Sequence, residues 1–231
     1  MIDFHSHVLP SIDDGSGSVE ESLELLTMLS RQGVDTVMAT PHIDFGDNTP
    51  EAFLAKREES ATRLSEFVTD GMPRILLGAE VTYFQGISRV SALADLRIVG
   101  TKLLLIEMPS ERWSDYTVRE LEELSFCSGI APMIAHIERC MDYQKTKALQ
   151  KLTDCGIIMQ ANASFFNDLR TRRRALKLLQ HGAVHVIGSD CHSVKHRPPH
   201  IGEAADIITE RLGADFLKGM NSFSKKLIGH L

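Results

Sequence analysis

Histidine and aspartate residues near the start of this chain have types and spacing that suit a metal ion. His5 and His7 are separated by one residue within a run that predicts a strand over residues 1–8. Side chains two apart in a strand project to the same side, so two imidazoles roughly 7 Å apart can close on one transition metal. Asp13 and Asp14 then precede Gly15. Taken alone, the pattern also fits a strand with a polar face, and the rest of the chain has to decide.

More histidines and carboxylates follow apolar runs further along the chain. A scatter over helix faces and strand interiors is expected if these residues are only structural. Instead, Glu80, Glu107 and His136 each come directly after an apolar run. The candidate metal ligands are His5, His7, Asp14, His42, Glu80, Glu107, His136, Asp190 and His192. Such a set is too large for one ion, so we expect two or three divalent ions with some carboxylates bridging.

Strand and helix signals alternate regularly along the sequence. Apolar runs predict seven strands, over residues 1–8, 34–40, 74–79, 103–106, 130–135, 157–160 and 184–188. Helical patterns between them cover 18–32, 49–70, 87–96, 115–128, 141–155 and 169–181. Five glycines, at 33, 71, 129, 156 and 182, stand where a left-handed residue ends a helix before the next strand.

Repeated β/α units with short connections predict a parallel sheet that closes. We therefore expect a single α/β domain over residues 1–231, built as a distorted TIM-like (β/α)7 barrel. Active sites of such barrels lie at the C-terminal ends of the strands, which is where the candidate ligands stand.

Composition excludes several classes of protein. The net charge of −6 argues against a general nucleic-acid binder. No apolar run approaches the roughly 18 residues of a membrane span, and strand signals begin at residue one, so a cytoplasmic protein is expected. The four cysteines, Cys127, Cys140, Cys155 and Cys191, have no paired spacing and predict reduced thiols without a thiolate metal site.

With these residues in hand, the chain resembles the polymerase-and-histidinol-phosphatase (PHP) superfamily. Within it, the chain is most similar to the metal-dependent tyrosine phosphatases associated with bacterial capsule and exopolysaccharide synthesis. The motifs that carry the resemblance are His5-Ser6-His7, Ile12-Asp13-Asp14-Gly15, Thr40-Pro41-His42, Gly78-Ala79-Glu80, Ile106-Glu107, His136-Ile137-Glu138-Arg139 and Ser189-Asp190-Cys191-His192.

The resemblance implies a trinuclear site and, as its substrate, phosphotyrosine on a protein such as a bacterial tyrosine kinase. One ion would be held by His5, His7, Glu80 and Asp190, a second by Glu80, Glu107 and His136, and a third by Asp14, His42 and His192. It also implies manganese, although imidazole and carboxylate ligands suit iron and zinc as well.

Such a site implies attack on phosphorus by a metal-activated hydroxide. A phosphomonoester also needs a guanidinium, and Arg139 is placed best, with Arg197 second. Surface positions are the alternative for both. A metal-bound water and His42 are both candidates for protonating the leaving group.

Cys191 and Arg197 also have the Cys-x5-Arg spacing of thiol-dependent tyrosine phosphatases. The neighbouring chemistry disfavours that mechanism, because Asp190 raises a thiol pKa and the intervening residues lack glycine. Cys191 is therefore predicted to be a packing residue.

Three functional classes remain open from the sequence. The first is a protein-tyrosine phosphatase; the second is a phosphoesterase for a small metabolite of the histidinol-phosphate kind or for nucleic acid; the third is a catalytically silent metal-binding regulator.

Asn162 is equally compatible with orienting a ligand and with ending a strand. The sequence predicts a solvated helix start, rather than an anion site, for the basic cluster of Arg170, Arg172, Arg173 and Arg174. Trp113 and Tyr116 are expected to pack over the barrel rim, with a flanking role beside an aromatic substrate as the alternative.

Overall fold

The computed structural model describes residues 1–127 and 129–229, without the side chain of Cys127. Nine strands run through it, all paired in parallel. They are β1 (Ile2–Ser6), β2 (Thr36–Ala39), β3 (His42–Ile43), β4 (Arg74–Leu77), β5 (Glu80–Thr82), β6 (Leu103–Glu107), β7 (Ala131–Ile134), β8 (Ile158–Asn162) and β9 (Val186–Gly188). The predicted count of seven was wrong, because two of the seven segments are each followed by a second short strand: β3 lies past the predicted end at residue 40, and β5 lies past the predicted end at residue 79.

A short break separates the two strands in each case. Between β2 and β3 stands Pro41, which has no N–H to donate. Between β4 and β5 stands Gly78, where a Cβ atom would lie 2.2 Å from Cδ1 of Ile98. The divided segments change partners, so that β1, β2 and β4 form one sheet and β3, β5, β6, β7, β8 and β9 form the other in that order.

The two sheets curl around a common interior. The segment after β9 returns to β1, where the N–H of His7 donates to the carbonyl of Cys191 at 2.9 Å. Ser6 and Cys191 form a parallel bridge there. The predicted α/β fold with parallel strands in a distorted barrel is confirmed. The assignment of residues 1–231 to one domain stays a prediction.

Eight α-helices cover the outside of the described sheets. They are α1 (Val19–Arg31), α2 (Pro50–Ser65), α3 (Asp115–Cys127), α4 (Thr146–Asp154), α5 (Ala163–Asn167), α6 (Arg172–Gln180), α7 (Ile201–Leu212) and α8 (Ala214–Ile228). The sequence Ser18-Val19-Glu20-Glu21 has the form of a helix-capping box, and the Ser18 hydroxyl accepts from the N–H of Glu21 at 3.3 Å at the start of α1. The five glycines predicted to end helices all have positive φ, from 64° to 95°.

Several predicted helix bounds were wrong. Helix α2 ends at Ser65 rather than near residue 70, after which the Phe67-Val68-Thr69 run offers two β-branched residues with low helix propensity. The predicted helix over 87–96 is two short 3-10 helices, Ile87–Arg89 and Ser91–Asp95. The helix predicted over 141–155 is a 3-10 turn followed by α4, and that over 169–181 starts at Arg172. The predicted end at Ser128 lies outside the described residues.

Alternation along the strands decides which side chains reach the barrel interior. In β6, Leu103 and Leu105 belong to an inner apolar cluster, whereas Leu104 and Ile106 pack in the larger cluster that includes residues of the helices. Glu107 is the next residue on the inner side. By the same period, Ile158 in β8 is internal and is followed on that side by Gln160 and Asn162. Apolar side chains thus fill one end of the barrel, and polar groups occupy the end at which the strands terminate.

Candidate metal centre

All nine candidate ligands come together at the carboxyl end of the strands. Ligand atoms from these residues form four overlapping groups, and within each group they all lie within 4.8 Å of one another. The groups are His7, Asp14, His42 and His192; His5, His7 and Asp190; His5, Glu80 and His136; and His42, Glu80 and Glu107. The convergence predicted from the strand ends is therefore present in the fold.

Glu80 lies at the centre of the cluster and is fully buried. Its Oε2 atom lies 3.0 Å from Nε2 of His5 and 3.1 Å from Nδ1 of His42. The other oxygen, Oε1, lies 3.0 Å from Nε2 of His136. Burial acts to raise the pKa of Glu80, but the neighbouring His5 and His136 outweigh it and hold the pKa well below its ordinary value. A carboxylate with two oxygens facing different histidines has the geometry of a bridging ligand.

Asp190 is a second carboxylate whose two oxygens face several groups of the cluster. Its Oδ1 lies 3.6 Å from Nε2 of both His5 and His7. Its Oδ2 accepts from Arg139 at 2.6 Å and from Arg197 at 2.8 Å. Burial alone acts to raise the pKa of Asp190, but the histidines and the two arginines hold it well below its usual range. The two arginines predicted to bind phosphate thus stand beside the cluster, with side chains 43% and 42% exposed.

The donor set and its hydrogen bonds fit divalent metal ions. Nδ1 of His7 donates to Asp13 at 2.7 Å, and Nδ1 of His192 donates to the backbone carbonyl of Asp190 at 2.9 Å. An imidazole whose Nδ1 carries the shared proton presents Nε2 as a lone-pair donor, which is the arrangement that metal-binding histidines adopt. Nε2 of His192 is buried and has no hydrogen-bond partner. A buried ring nitrogen without a hydrogen-bond partner lowers the stability of the fold, and a bound metal ion would supply the missing partner.

Surplus negative charge also favours a cation at this place. Burial acts to lower the pKa of His7, but the carboxylates of Asp13 and Glu80 outweigh it and raise the pKa to about 10. The same balance raises the pKa of His5, through Glu80 and Asp190. These carboxylates attract a proton onto the imidazoles, and a divalent ion would compete for the same nitrogen atoms.

Two of the candidate ligands have backbone conformations that are rare for residues other than glycine. His136 has φ of 28° and Asp190 has φ of 52°. In the described part of the chain only Ser11 shares this property. Positive φ costs of order 1 kcal/mol or more for such residues and is retained where the surroundings fix it. At Asp190 the surroundings include Asp3, which accepts from the N–H and the hydroxyl of Ser189 at 2.8 and 2.6 Å.

Sequence reasoning missed two residues that support the cluster. Asp13 was seen only as part of the Asp-Asp-Gly motif, yet it accepts from the ring of His7. Gln160 was read as the end of an apolar strand. Its Oε1 accepts from the backbone N–H of His136 at 2.6 Å and lies 3.4 Å from Nδ1 of His5. The signal that could have identified Gln160 is a polar residue inside an apolar strand, two positions before Asn162 and therefore on the same side.

Asn162, which the sequence left open, is part of this supporting layer. Its side-chain amide donates to Oδ2 of Asp190 at 2.8 Å, and its carbonyl oxygen accepts from Gln160 at 3.0 Å. The side chain orients a candidate ligand, and the residue also ends β8.

Cys191 is placed as the sequence predicted, as a packing residue between two candidate ligands. The side chain is fully buried within the apolar cluster. Burial first, and then the charge of Asp3, raises the pKa of the Cys191 thiol well above its ordinary value. A thiol that stays protonated is a poor nucleophile. The Cys-x5-Arg spacing is therefore not a phosphate-binding thiolate loop.

Other predicted features lie away from the cluster. In the arginine group, Arg172 donates to the backbone carbonyls of Phe166 and Asn167, and Arg174 pairs with Asp142. Trp113 is 7% exposed and its indole N–H donates to the carbonyl of Pro109, so it packs at the rim as expected. His230, whose distance from the apolar strand ends in the sequence predicts a surface or helix position, falls outside the described residues.

The fold and the cluster together place the chain among parallel α/β barrels with a cluster of histidine and carboxylate side chains at the carboxyl edge. A sequence model of the family described as "Capsular polysaccharide synthesis, CpsB/CapC" matches residues 1–226. The chain belongs to this family.

Named relatives are similar over nearly the whole chain. Tyrosine-protein phosphatase CpsB of Streptococcus pneumoniae is 32% identical over 225 residues, which cover 93% of this chain and 92% of the relative. Tyrosine-protein phosphatase YwqE of Bacillus subtilis (strain 168) is 29% identical over 223 residues, covering 93% and 86%.

A solved structure extends the similarity to the backbone. It belongs to work on YwqE from Bacillus subtilis and CpsB from Streptococcus pneumoniae, described as unique metal-dependent tyrosine phosphatases. The TM-score is 0.84 at 27% identity, with 99% of this chain and 94% of that chain covered. The family resemblance stated from the motifs is confirmed.

Proposed function

We propose that this chain is a metal-dependent protein-tyrosine phosphatase that hydrolyses phosphotyrosine monoesters. The observation that carries the proposal is the convergence of nine histidine and carboxylate side chains at the carboxyl edge, in a chain similar to tyrosine phosphatases over nearly its full length. A cytoplasmic location and a bacterial tyrosine kinase as substrate belong to the same proposal. Among the described residues, none of the helices could span a membrane.

We assign the ligands to three sets, of which the first two share Glu80. His5, His7, Glu80 and Asp190 would hold one ion; Glu80, Glu107 and His136 a second; and Asp14, His42 and His192 a third. Supporting distances include 3.4 Å between His136 Nε2 and Glu107 Oε1, and 3.5 Å between His192 Nε2 and Asp14 Oδ1. Manganese is the ion we propose, because the family resemblance implies it and mixed nitrogen and oxygen ligands without thiolate are compatible with it, as they are with iron and zinc.

Divalent ions held here would supply Lewis acidity, which acidifies water and neutralises charge on the phosphoryl oxygens. The chain's own groups bind and orient the substrate. Arg139 and Arg197 each donate a hydrogen bond from one terminal nitrogen to Asp190. Each guanidinium has further N–H donors that can bind a phosphate. Because both arginines share one carboxylate oxygen, Asp190 fixes their spacing as well as offering Oδ1 to the cluster.

His42 is the cluster histidine with the most exposed ring, at 33%. Its position allows two roles: completing the third ligand set, or exchanging a proton with the leaving tyrosyl oxygen. A His42→Gln variant separates them, because only a ligand role lowers the number of ions bound per chain.

The test is hydrolysis of p-nitrophenyl phosphate by protein stripped of metal and then restored with Mn²⁺. We expect activity to depend on the metal and to fall at least 100-fold in His136→Ala, whereas Cys191→Ser stays active. Activity that survives chelation and is lost with Cys191 contradicts the proposal. The rates of hydrolysis of a phosphotyrosine peptide, a phosphoserine peptide and histidinol phosphate, compared at matched concentration, then define the substrate class. Faster hydrolysis of the small metabolite would replace the assignment as a protein phosphatase.

A further inference from the structure

Asp13 contacts histidines that belong to two different proposed ion sites. Its Oδ2 accepts from Nδ1 of His7 at 2.7 Å and from the backbone N–H of His42 at 3.0 Å. The side chain is 7% exposed. One carboxylate oxygen thus joins the end of β1 to the start of β3, and each of these segments carries a candidate ligand.

The other oxygen of Asp13 fixes the loop that carries a third ligand. Oδ1 accepts from the N–H of Gly15 at 3.0 Å, which closes a turn around Asp14. The turn lies directly on β1, since a Cβ atom at Gly15 would stand 2.4 Å from the carbonyl oxygen of His7. Asp14 itself is 67% exposed, with Oδ1 3.7 Å from Nε2 of His42.

These contacts also separate the roles of the two adjacent aspartates. Three N–H donors occupy the two oxygens of Asp13, so this carboxylate is engaged by the protein itself. Asp14 points its oxygen at His42 and His192 instead. The Asp-Asp-Gly sequence therefore provides one ligand and one residue that holds ligands.

We propose that Asp13 is a positioning residue that holds His7, Asp14 and His42 in the arrangement in which they bind two of the ions. The inference rests on the proposed metal-dependent function. A carboxylate that accepts from Nδ1 fixes the tautomer and the ring orientation of a metal-binding histidine and raises its basicity. Loss of such a partner typically costs about 10- to 100-fold in metal affinity.

The test is the Mn²⁺ affinity of Asp13→Asn, measured by equilibrium dialysis on the full chain. An amide cannot accept from all three donors, because one of its two positions is now a donor. We expect affinity at two of the sites to fall about 10- to 100-fold. Activity should return towards the wild-type value as Mn²⁺ is raised.

Asp44→Asn is the matched control. Asp44 makes the same turn contact, with Oδ1 accepting from the N–H of Gly46 at 2.7 Å, but it lies in an exposed loop. We expect its metal affinity to equal that of wild type. Thermal unfolding of the metal-free proteins checks that each variant is folded; if Asp13→Asn does not fold, Asp13→Ser, which is too short to reach His7, takes its place with the same expected loss.

The outcomes separate the inference from the proposed function. If the wild-type protein binds no Mn²⁺, the proposed metal-dependent function is itself wrong. Wild-type protein that binds Mn²⁺ while Asp13→Asn binds it equally well overturns the positioning role. A variant with a lower unfolding temperature but unchanged affinity also overturns it, because Asp13 is then only a structural residue.

Discussion

At the scale of single residues, the centre depends on side chains that serve two neighbours at once. Glu80 faces His5 and His42 with one oxygen and His136 with the other. Asp190 faces histidines through Oδ1 and accepts from arginines through Oδ2. A substitution at either position therefore removes several interactions together, so its effects will not add to those of its partners.

Arg139 gives a sharper prediction, because it is outside the proposed ligand sets. Arg139→Lys keeps the charge but loses the planar fork that matches a phosphate. We expect kcat/KM for a phosphotyrosine peptide to fall about 10- to 100-fold, as expected for loss of one charged hydrogen bond worth about 1.5–3 kcal/mol. Steady-state kinetics and metal content by mass spectrometry check this.

The control is Arg174→Lys, since Arg174 also pairs with an aspartate, Asp142, but lies on α6 away from the cluster. Its kinetics should match those of wild type. An Arg139→Lys variant with normal kcat/KM, or with lost metal, contradicts the assignment of Arg139 to phosphate binding.

At the scale of elements, the cluster depends on the close approach of β9 to β1. Gly188, the last residue of β9, has no room for a side chain: a Cβ atom there would lie 2.6 Å from Cβ of His5 and 2.8 Å from Nε2 of Gln160. Gly188→Ala should destabilise the fold by about 1–3 kcal/mol through overpacking and displace His5. Urea unfolding and Mn²⁺ affinity measure the two effects.

Gly219 provides the matched substitution. It lies within α8, and a Cβ atom there meets nothing within 4 Å. Gly219→Ala should therefore stabilise the fold by about 0.5–1 kcal/mol, since alanine is the better helix former. Equal effects of the two substitutions mean that the approach of β9 to β1 tolerates a methyl group.

The contact between β8 and β9 has a pH dependence of its own. The N–H of Met159 donates to Nδ1 of His185 at 2.9 Å, so the ring is held neutral. Burial lowers the pKa of His185 below its ordinary value. Below about pH 6.5 the unfolded chain therefore binds more protons at this residue than the folded chain does. The stability contribution is present above that pH and is lost as the pH falls.

We expect the free energy of unfolding to fall less steeply between pH 7 and pH 5 in His185→Asn than in wild type. One histidine accounts for at most about 1.4 kcal/mol per pH unit. Denaturant unfolding at several pH values gives the slopes, with exposed His196→Asn as the control. Identical slopes for wild type and His185→Asn refute a neutral, half-buried His185 with a lowered pKa.

Strand ends were the most predictable part of the fold, for physical reasons. Apolar runs that end in Glu107 or His136 follow from burial on both faces of a parallel sheet, and glycine at a helix end follows from positive φ. The division of strands at Pro41 and Gly78 depends on which sheet each half joins, and local patterns do not carry that information. The roles of Asp13 and Gln160 likewise depend on contacts between distant segments.

At the scale of the whole molecule, the centre joins segments from both sheets and from the loop after β1. Ions bound to the folded chain alone stabilise it by RT ln(1 + [L]/Kd), about 2.7 kcal/mol at a hundredfold excess over Kd. For a chain of 231 residues, each kcal/mol shifts the unfolding temperature by roughly 2–4 °C. Saturating Mn²⁺ should thus raise that temperature by about 5–11 °C per site filled.

This stabilisation must weaken in acid, because ions and protons compete for the same imidazoles. The carboxylates around His7 raise its pKa to about 10 in the metal-free protein, so ion binding displaces protons. Calorimetric titration with Mn²⁺ at pH 7 in buffers of different ionisation enthalpy should reveal proton release. The rise in unfolding temperature should be smaller at pH 5.5 than at pH 7.5. A rise that is the same at both pH values, with no proton release, would mean that the ions bind to exposed carboxylates rather than to the histidines of the centre.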